Sequence, residues 1–150
     1  MKGLSKGSLF FCALMSAGSS PAFAEELVDA TMPERIYEIA RGFGSAELGK
    51  DSQGDPRIIG RVDGTKYGVY FYGCAKGREC DDIQFSAGWS GPKVPLERIN
   101  EWNRDKRFGK AYIDSDGDPR LEMEVNLDYG VSAKNLEDSF NWWSKALKEF

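Results

Sequence analysis

The chain has 150 residues, with 20 lysines and arginines against 24 acids, no histidine, and a net charge of −4. That balance argues against nucleic acid and anionic membrane as partners, since both demand clustered Lys and Arg. The missing histidine removes the commonest general base and zinc ligand.

Lys2 and Lys6 make a basic start, Leu9 to Ala17 is a short apolar run, and Ala22-Phe23-Ala24 fits a small-x-small cleavage site. This predicts a secretory signal peptide over residues 1–24, cleaved after Ala24; the alternative is a retained amphipathic anchor. Cys12 leaves with the leader. Residues 25–150 then suffice for a single domain with a core of its own, in the periplasm or outside the cell. No later apolar run approaches the ~20 residues a spanning helix needs, so no membrane insertion is expected after leader removal.

Glu25 to Ala30 reads as a loose lead. Thr31-Met32-Pro33-Glu34 has the form of a capping box with an early proline, opening a helix whose Ile36, Ile39, Ala40 and Phe43 share a face. Gly42 or Gly44 ends it. A short strand, Ala46 to Lys50, leads through Asp51 to Pro56 into a second, Arg57 to Val62. Asp63-Gly64 is a strong hairpin signal. A two-residue turn there pairs Val62 with Thr65, Gly60 with Tyr67 and Ile58 with Val69, and the Tyr67 ring can cover the bare Gly60 backbone.

The segments Lys66–Cys74 and Cys80–Trp89 read as the next two strands. With Cys74 opposite Cys80, Phe71 faces Ile83, Val69 faces Phe85 and Tyr67 faces Ala87, all on one side. Tyr72 meets Asp82, Tyr70 meets Gln84 and Gly68 meets Ser86 on the other. One register thus sorts both strands into a core face and a wet face. In an exported chain the two cysteines are expected to form a disulfide, stabilising the fold by roughly 2–2.5 kcal/mol on the chain-entropy model. A redox switch is the rival reading of the same pair.

Ser90-Gly91-Pro92 ends this meander. Leu96 to Lys106 is a second helix with Leu96, Ile99 and Trp102 inward, followed by a strand over Lys110–Ile113 and a turn over Asp114–Pro119. Arg120 to Asp128 alternates cleanly: Leu121, Met123, Val125 and Leu127 against Glu122, Glu124, Asn126 and Asp128. Ser132 caps a last helix with a stripe of Ala133, Leu136, Phe140, Trp143, Leu147 and Phe150. The expected class is α+β, in the order α-β-β-β-β-α-β-β-α, an antiparallel sheet with helices packed on one face.

The chain also echoes itself. Glu34-Arg35-Ile36-x-Glu38-x-x-Arg41 recurs as Glu97-Arg98-Ile99-x-Glu101-x-x-Arg104. At the same offset, Asp51-Ser52-x-Gly54-Asp55-Pro56-Arg57 recurs as Asp114-Ser115-x-Gly117-Asp118-Pro119-Arg120. Duplication of a helix-plus-hairpin unit is one reading; convergence on ordinary turn residues is the other.

Asp114, Asp116 and Asp118 alternate as calcium ligands can, but an EF-hand loop needs glycine sixth and glutamate twelfth, and here proline is sixth. Glu122, Glu124 and Asp128 stand on a solvated strand face; a hydrolase using Glu122 or Glu124 is a further reading. Ser86 lacks the glycine that a nucleophile elbow places before it. No cofactor, metal or catalytic residue is expected. Less ordinary is the face opposite the core, with Tyr70, Tyr72, Tyr112 and Ile59, and with Trp142 flanking the last helix's stripe. Aromatic rings with free hydroxyls suit protein or peptide recognition; cross-strand support of the sheet is the alternative.

At Ile99-Asn100-Glu101-Trp102-Asn103, at Arg107-Phe108-Gly109-Lys110-Ala111-Tyr112, and from Asp116-Gly117-Asp118-Pro119 to Gly130-Val131-Ser132, the chain resembles the YbjN family, bacterial proteins labelled sensory-transduction regulators. Asp63-Gly64-x-x-Tyr67 and the Cys74/Cys80 pair resemble its exported members. The likeness covers Thr31 to Phe150. It implies a fold similar to type III secretion chaperones, often dimerising, so a homodimer is an expectation here. The family's suggested roles are regulatory or chaperone-like, and it carries over no catalytic residue. Three readings follow: an exported, non-enzymatic protein- or peptide-binding domain, a redox-responsive regulator, and a hydrolase.

Overall fold

A computed structural model describes residues 26–91 and 93–150. The expected leader, Cys12, Glu25 and Pro92 lie outside the described residues. Among the described residues, three helices accompany one large sheet and one small one. In chain order the elements are β1 (Leu27–Val28), α1 (Pro33–Arg41), β2 (Ser45–Lys50), β3 (Pro56–Val62), β4 (Thr65–Tyr72) and β5 (Asp82–Gly88). There follow α2 (Leu96–Asp105), β6 (Lys110–Ile113), β7 (Pro119–Asn126), β8 (Val131–Ser132) and α3 (Ala133–Glu149). The large sheet is antiparallel throughout, in the order β2-β3-β4-β5-β7-β6. Its longer elements follow the α-β-β-β-β-α-β-β-α order of an α+β domain.

Turn chemistry sets the first register. Asp63 and Gly64 both take positive φ, 48° and 83°, as a type I′ turn requires. Val62 therefore lies opposite Thr65, Gly60 opposite Tyr67 and Ile58 opposite Val69. A Cβ on Gly60 would stand 2.5 Å from Tyr67 Cζ, so the tyrosine ring does cover that backbone. Burial pushes the Tyr67 hydroxyl up to about 12.

Next along the sheet, Phe71 faces Ile83 and Val69 faces Phe85 on the core side, while Tyr70 faces Gln84 and Tyr72 faces Asp82 on the other. The ladder stops at Tyr72 and Asp82. Gly73 turns to positive φ, and the Cys74–Cys80 disulfide closes the loop beyond the strands. Phe85 is the centre of the core. Its ring lies 4.8 Å from that of Phe140, edge-on, and 5.4 Å from that of Trp143, both on α3. α1 adds Ile36, Ile39 and Ala40. Aromatic contacts of this kind bury large areas with defined geometry.

Four local expectations need correction. The N-terminal lead is not loose: Leu27–Val28 pairs with Val131–Ser132, and Val28 is fully buried. A two-residue strand has too little period to show in sequence. The capping box does not form. Met32, whose side chain has no oxygen to accept a bond, occupies the N-cap in place of Thr31, and the Thr31 hydroxyl and N–H both donate to Asp29 Oδ1. Leu96 points out, 67% exposed; α2 lies against the short edge strand β6 and buries Ile99 alone, with Trp102 half-buried. Val125 and Phe150 are half-buried rather than enclosed. Ser132 does cap α3, its Oγ accepting from the Asn135 N–H at 3.2 Å.

The two echoed hairpins sit at opposite edges of the sheet and share one register. Lys50 faces Pro56 as Ile113 faces Pro119, and Leu48 faces Ile58 as Ala111 faces Leu121. Their turns are bonded alike. Asp51 Oδ1 accepts from the N–H groups of Gln53 and Asp55, and Asp114 Oδ1 from those of Asp116 and Asp118. Those bonds give the acidic loop a structural explanation as a pair of Asx turns.

Candidate functional site

Strand alternation sends one residue in two to the face that the helices leave open. β3 contributes Arg57 and Ile59, β4 Gly68, Tyr70 and Tyr72, β5 Gln84 and Ser86, β7 Glu122 and Glu124, and β6 Lys110 and Tyr112. Ile59, Tyr70, Tyr72 and Tyr112 thus share this face. Tyr72 is the most exposed of them, at 47%. Tyr70 is half-buried, and its ring lies flat enough over Gly68 that a Cβ there would come within 2.6 Å of it.

The hydroxyls are less free than the sequence suggests. Tyr112 donates to Glu122 Oε1 at 2.7 Å, and Tyr72 to Gln84 Oε1 at 3.3 Å. Gln84 Nε2 in turn donates to Glu124 Oε1 at 2.9 Å, and Lys110 Nζ lies 3.0 Å from Glu122 Oε2. The result is a continuous polar belt from Tyr72 to Tyr112 across four strands. Its fields agree with its bonds. The Glu122 hydrogen bond raises the Tyr112 hydroxyl above its ordinary value, and the same carboxylate raises the Lys110 ammonium. Tyr72 is raised first by burial and then by Glu122. Burial also raises the Asp82 carboxyl, with Asp81 and Glu124 adding to it. Both oxygens of Glu122 are engaged, so its part in this arrangement is to fix Tyr112 and Lys110.

Trp142 does not join the four. It stands on α3, its ring 4.8 Å from that of Phe108, with Lys145 Nζ 4.5 Å from its centroid. Between this aromatic pair and β7 lies a groove of about 670 Å³, which borders the open face through Lys110, Glu122 and Glu124. Phe108 was legible only as part of a family motif. Its left-handed φ of 64° takes the chain out of extended conformation just before β6 and leaves the ring 53% exposed.

Cys74 and Cys80 lie at the end of the β4–β5 hairpin, with Cys80 buried and Cys74 half-buried. Among the described residues, no group of three His, Cys, Asp or Glu side chains is placed to hold a metal ion. Among the same residues, no helix is long and apolar enough to cross a membrane.

No curated protein matches the chain. A family model does: YbjN, described as "Putative bacterial sensory transduction regulator", matches residues 32–150. An α+β domain whose matched region takes in every element from α1 onward is therefore a member of the YbjN family, and a regulatory or binding role is what that membership supports.

Proposed function

We propose that the chain is an exported, non-enzymatic domain of the bacterial cell envelope that regulates by binding a protein or peptide. The observation that carries this reading is the open sheet face, which Ile59, Tyr70, Tyr72 and Tyr112 share and where a belt of bonded polar groups holds Tyr72 and Tyr112. Tyrosines held in place lose little freedom on contact and present an apolar ring beside a polar tip, a favourable composition for recognition. Export is supported by the basic and apolar pattern of residues 1–24 and by the Cys74–Cys80 bridge, which suits an oxidising compartment. Regulation by occupancy fits a site whose carboxylates are already paired.

The test is cross-linking in the intact envelope, followed by identification of what is captured. The wild-type chain should recover a discrete partner that the Tyr70→Ala/Tyr72→Ala variant loses. Identical recovery from both would contradict this surface, and recovery of only a second copy of the chain would replace the partner by a homodimer.

A further inference from the structure

The groove beside Trp142 follows from a mismatch in strand lengths. β7 has eight residues and β6 four, so β6 pairs only with Pro119 to Glu122. On its far side from β5, β7 has no strand partner from Met123 to Asn126 among the described residues. The phase of the ladder tells which backbone groups are left. The Trp89 N–H donates to the Pro119 carbonyl, so Pro119, Leu121, Met123 and Val125 bond towards β5. Arg120 and Glu122 bond towards β6, and Glu124 and Asn126 turn an N–H and a C=O each into the groove.

We propose that this half-edge accepts an extended peptide segment as an additional strand, one that alternates basic and apolar residues and runs in the direction of β6. The inference rests on the reading of the chain as a peptide binder and supplies the mode and the chemistry of the peptide. Main-chain pairing with Glu124 and Asn126 provides the attachment, as in other cases of strand addition. Facing residues on paired strands share a side of the sheet, so the two sets of peptide side chains meet different surroundings. Those opposite Glu124 and Asn126 come out on the open face beside Glu122, where basic side chains meet carboxylates. Those between them turn towards Met123, Val125 and the Trp142–Phe108 pair, where apolar side chains are covered.

On its open-face side the groove carries Glu122 and Glu124 against Lys110, which Glu122 already holds, while Lys145 and Arg107 stand over the Trp142 and Phe108 rings on the other side. That surplus of negative charge favours a basic occupant. It also disfavours a second copy: pairing the free stretch of β7 with its own twin about a two-fold axis would set Glu124 opposite or diagonal to Glu124 of the other chain. The unpaired stretch is about 13 Å long at the usual strand rise, enough for a segment of about four residues and too little for a domain interface.

The experiment measures fluorescence anisotropy of a labelled synthetic peptide of alternating lysine and valine, with one valine replaced by phenylalanine, against the full-length protein. Three forms of the peptide are compared: unmodified, N-methylated on the lysines, and N-methylated on the apolar residues. Lysine methylation removes the N–H groups that face β7 and should weaken binding by about tenfold or more; methylation of the apolar residues should change it by less than about twofold. Glu124→Lys should weaken the unmodified peptide by about tenfold. Because the methylated peptides leave the protein unaltered, the comparison survives any variant that fails to fold.

Equal binding of the two methylated forms overturns strand addition, and so does failure of the unmodified peptide to bind at millimolar concentration. Self-association through β7 that excludes the peptide overturns it as well. If the tyrosine variant loses its envelope partner while the peptide fails here, the half-edge falls and the proposed function stands; if partner capture also fails to depend on the tyrosines, both fall.

Discussion

At one edge of the sheet β2 runs six residues along β3; at the other, β6 accompanies β7 for four. Both hairpins turn on an aspartate at the matching position, Asp51 or Asp114, which accepts from the N–H groups two and four residues on, and both begin pairing at a proline. They part company at their far ends. Ser45 and Ala46 extend β2 to meet Arg61 and Gly60, whereas the matching positions, Phe108 and Gly109, leave the strand. Gly109 lies under the Trp102 ring, and Phe108 swings to Trp142. One pattern of turn residues thus yields a fully covered edge in the first unit and a half-covered one in the second. A second contrast lies in the arginines after the prolines. Arg120 Nε donates to Asp114 Oδ2 at 2.8 Å, whereas Arg57 Nε is enclosed without a partner among the described residues.

The largest effect should come from the core the two units share. Phe85→Ala removes the ring between Phe140 and Trp143 and should cost about 3–5 kcal/mol in urea unfolding. The transition should stay single if both units lean on one core; two separated transitions would break the comparison into two domains. Next is the bridge at the end of the central β4–β5 hairpin. Cys74→Ser/Cys80→Ser should cost roughly 2–2.5 kcal/mol on the chain-entropy model, and an unchanged midpoint would show that the strands alone hold that end.

Smaller effects separate the turns. Asparagine can keep both turn bonds, so Asp51→Asn should leave stability nearly unchanged, while Asp114→Asn also gives up the charge facing Arg120. Hydrogen bonds from Arg120 and from the backbone of Asp118 hold the Asp114 carboxyl below its ordinary value. Its contribution is therefore complete above the ordinary carboxylate value near pH 4 and is lost as pH falls through the lowered one. The gap between wild type and Asp114→Asn should close in acid. Equal losses for the two variants, or a gap independent of pH, would remove this distinction between the units.

Much of this was legible from residues alone, where a turn type and an alternation spoke together. Asp63-Gly64 and the alternating Tyr67, Val69 and Phe71 set two registers, because a slip by one would have put those side chains in water. The short β1 was illegible, since its place depends on Val28 finding β8 far along the chain. So was the exposure of Leu96, which helical spacing placed inward and which a short edge strand leaves uncovered. The tyrosines of the open face could be placed, but the bonds that occupy two of their hydroxyls could not. Trp142 showed only as a residue off the helix stripe; its partner Phe108 is brought to it by a backbone φ that sequence does not display. Setting the two hairpins side by side would have been the one available signal, since Ser45-Ala46 and Phe108-Gly109 differ where the rest agrees.

The half-covered edge can be tested most directly by amide hydrogen exchange in the free protein. The Arg61 N–H, bonded to β2, should exchange slowly, while the Glu124 N–H at the matching position should exchange at nearly the rate of an open chain, with Asn126 beside it. Comparable protection at Glu124 and Arg61 would mean that the edge is already paired, and would contradict the account.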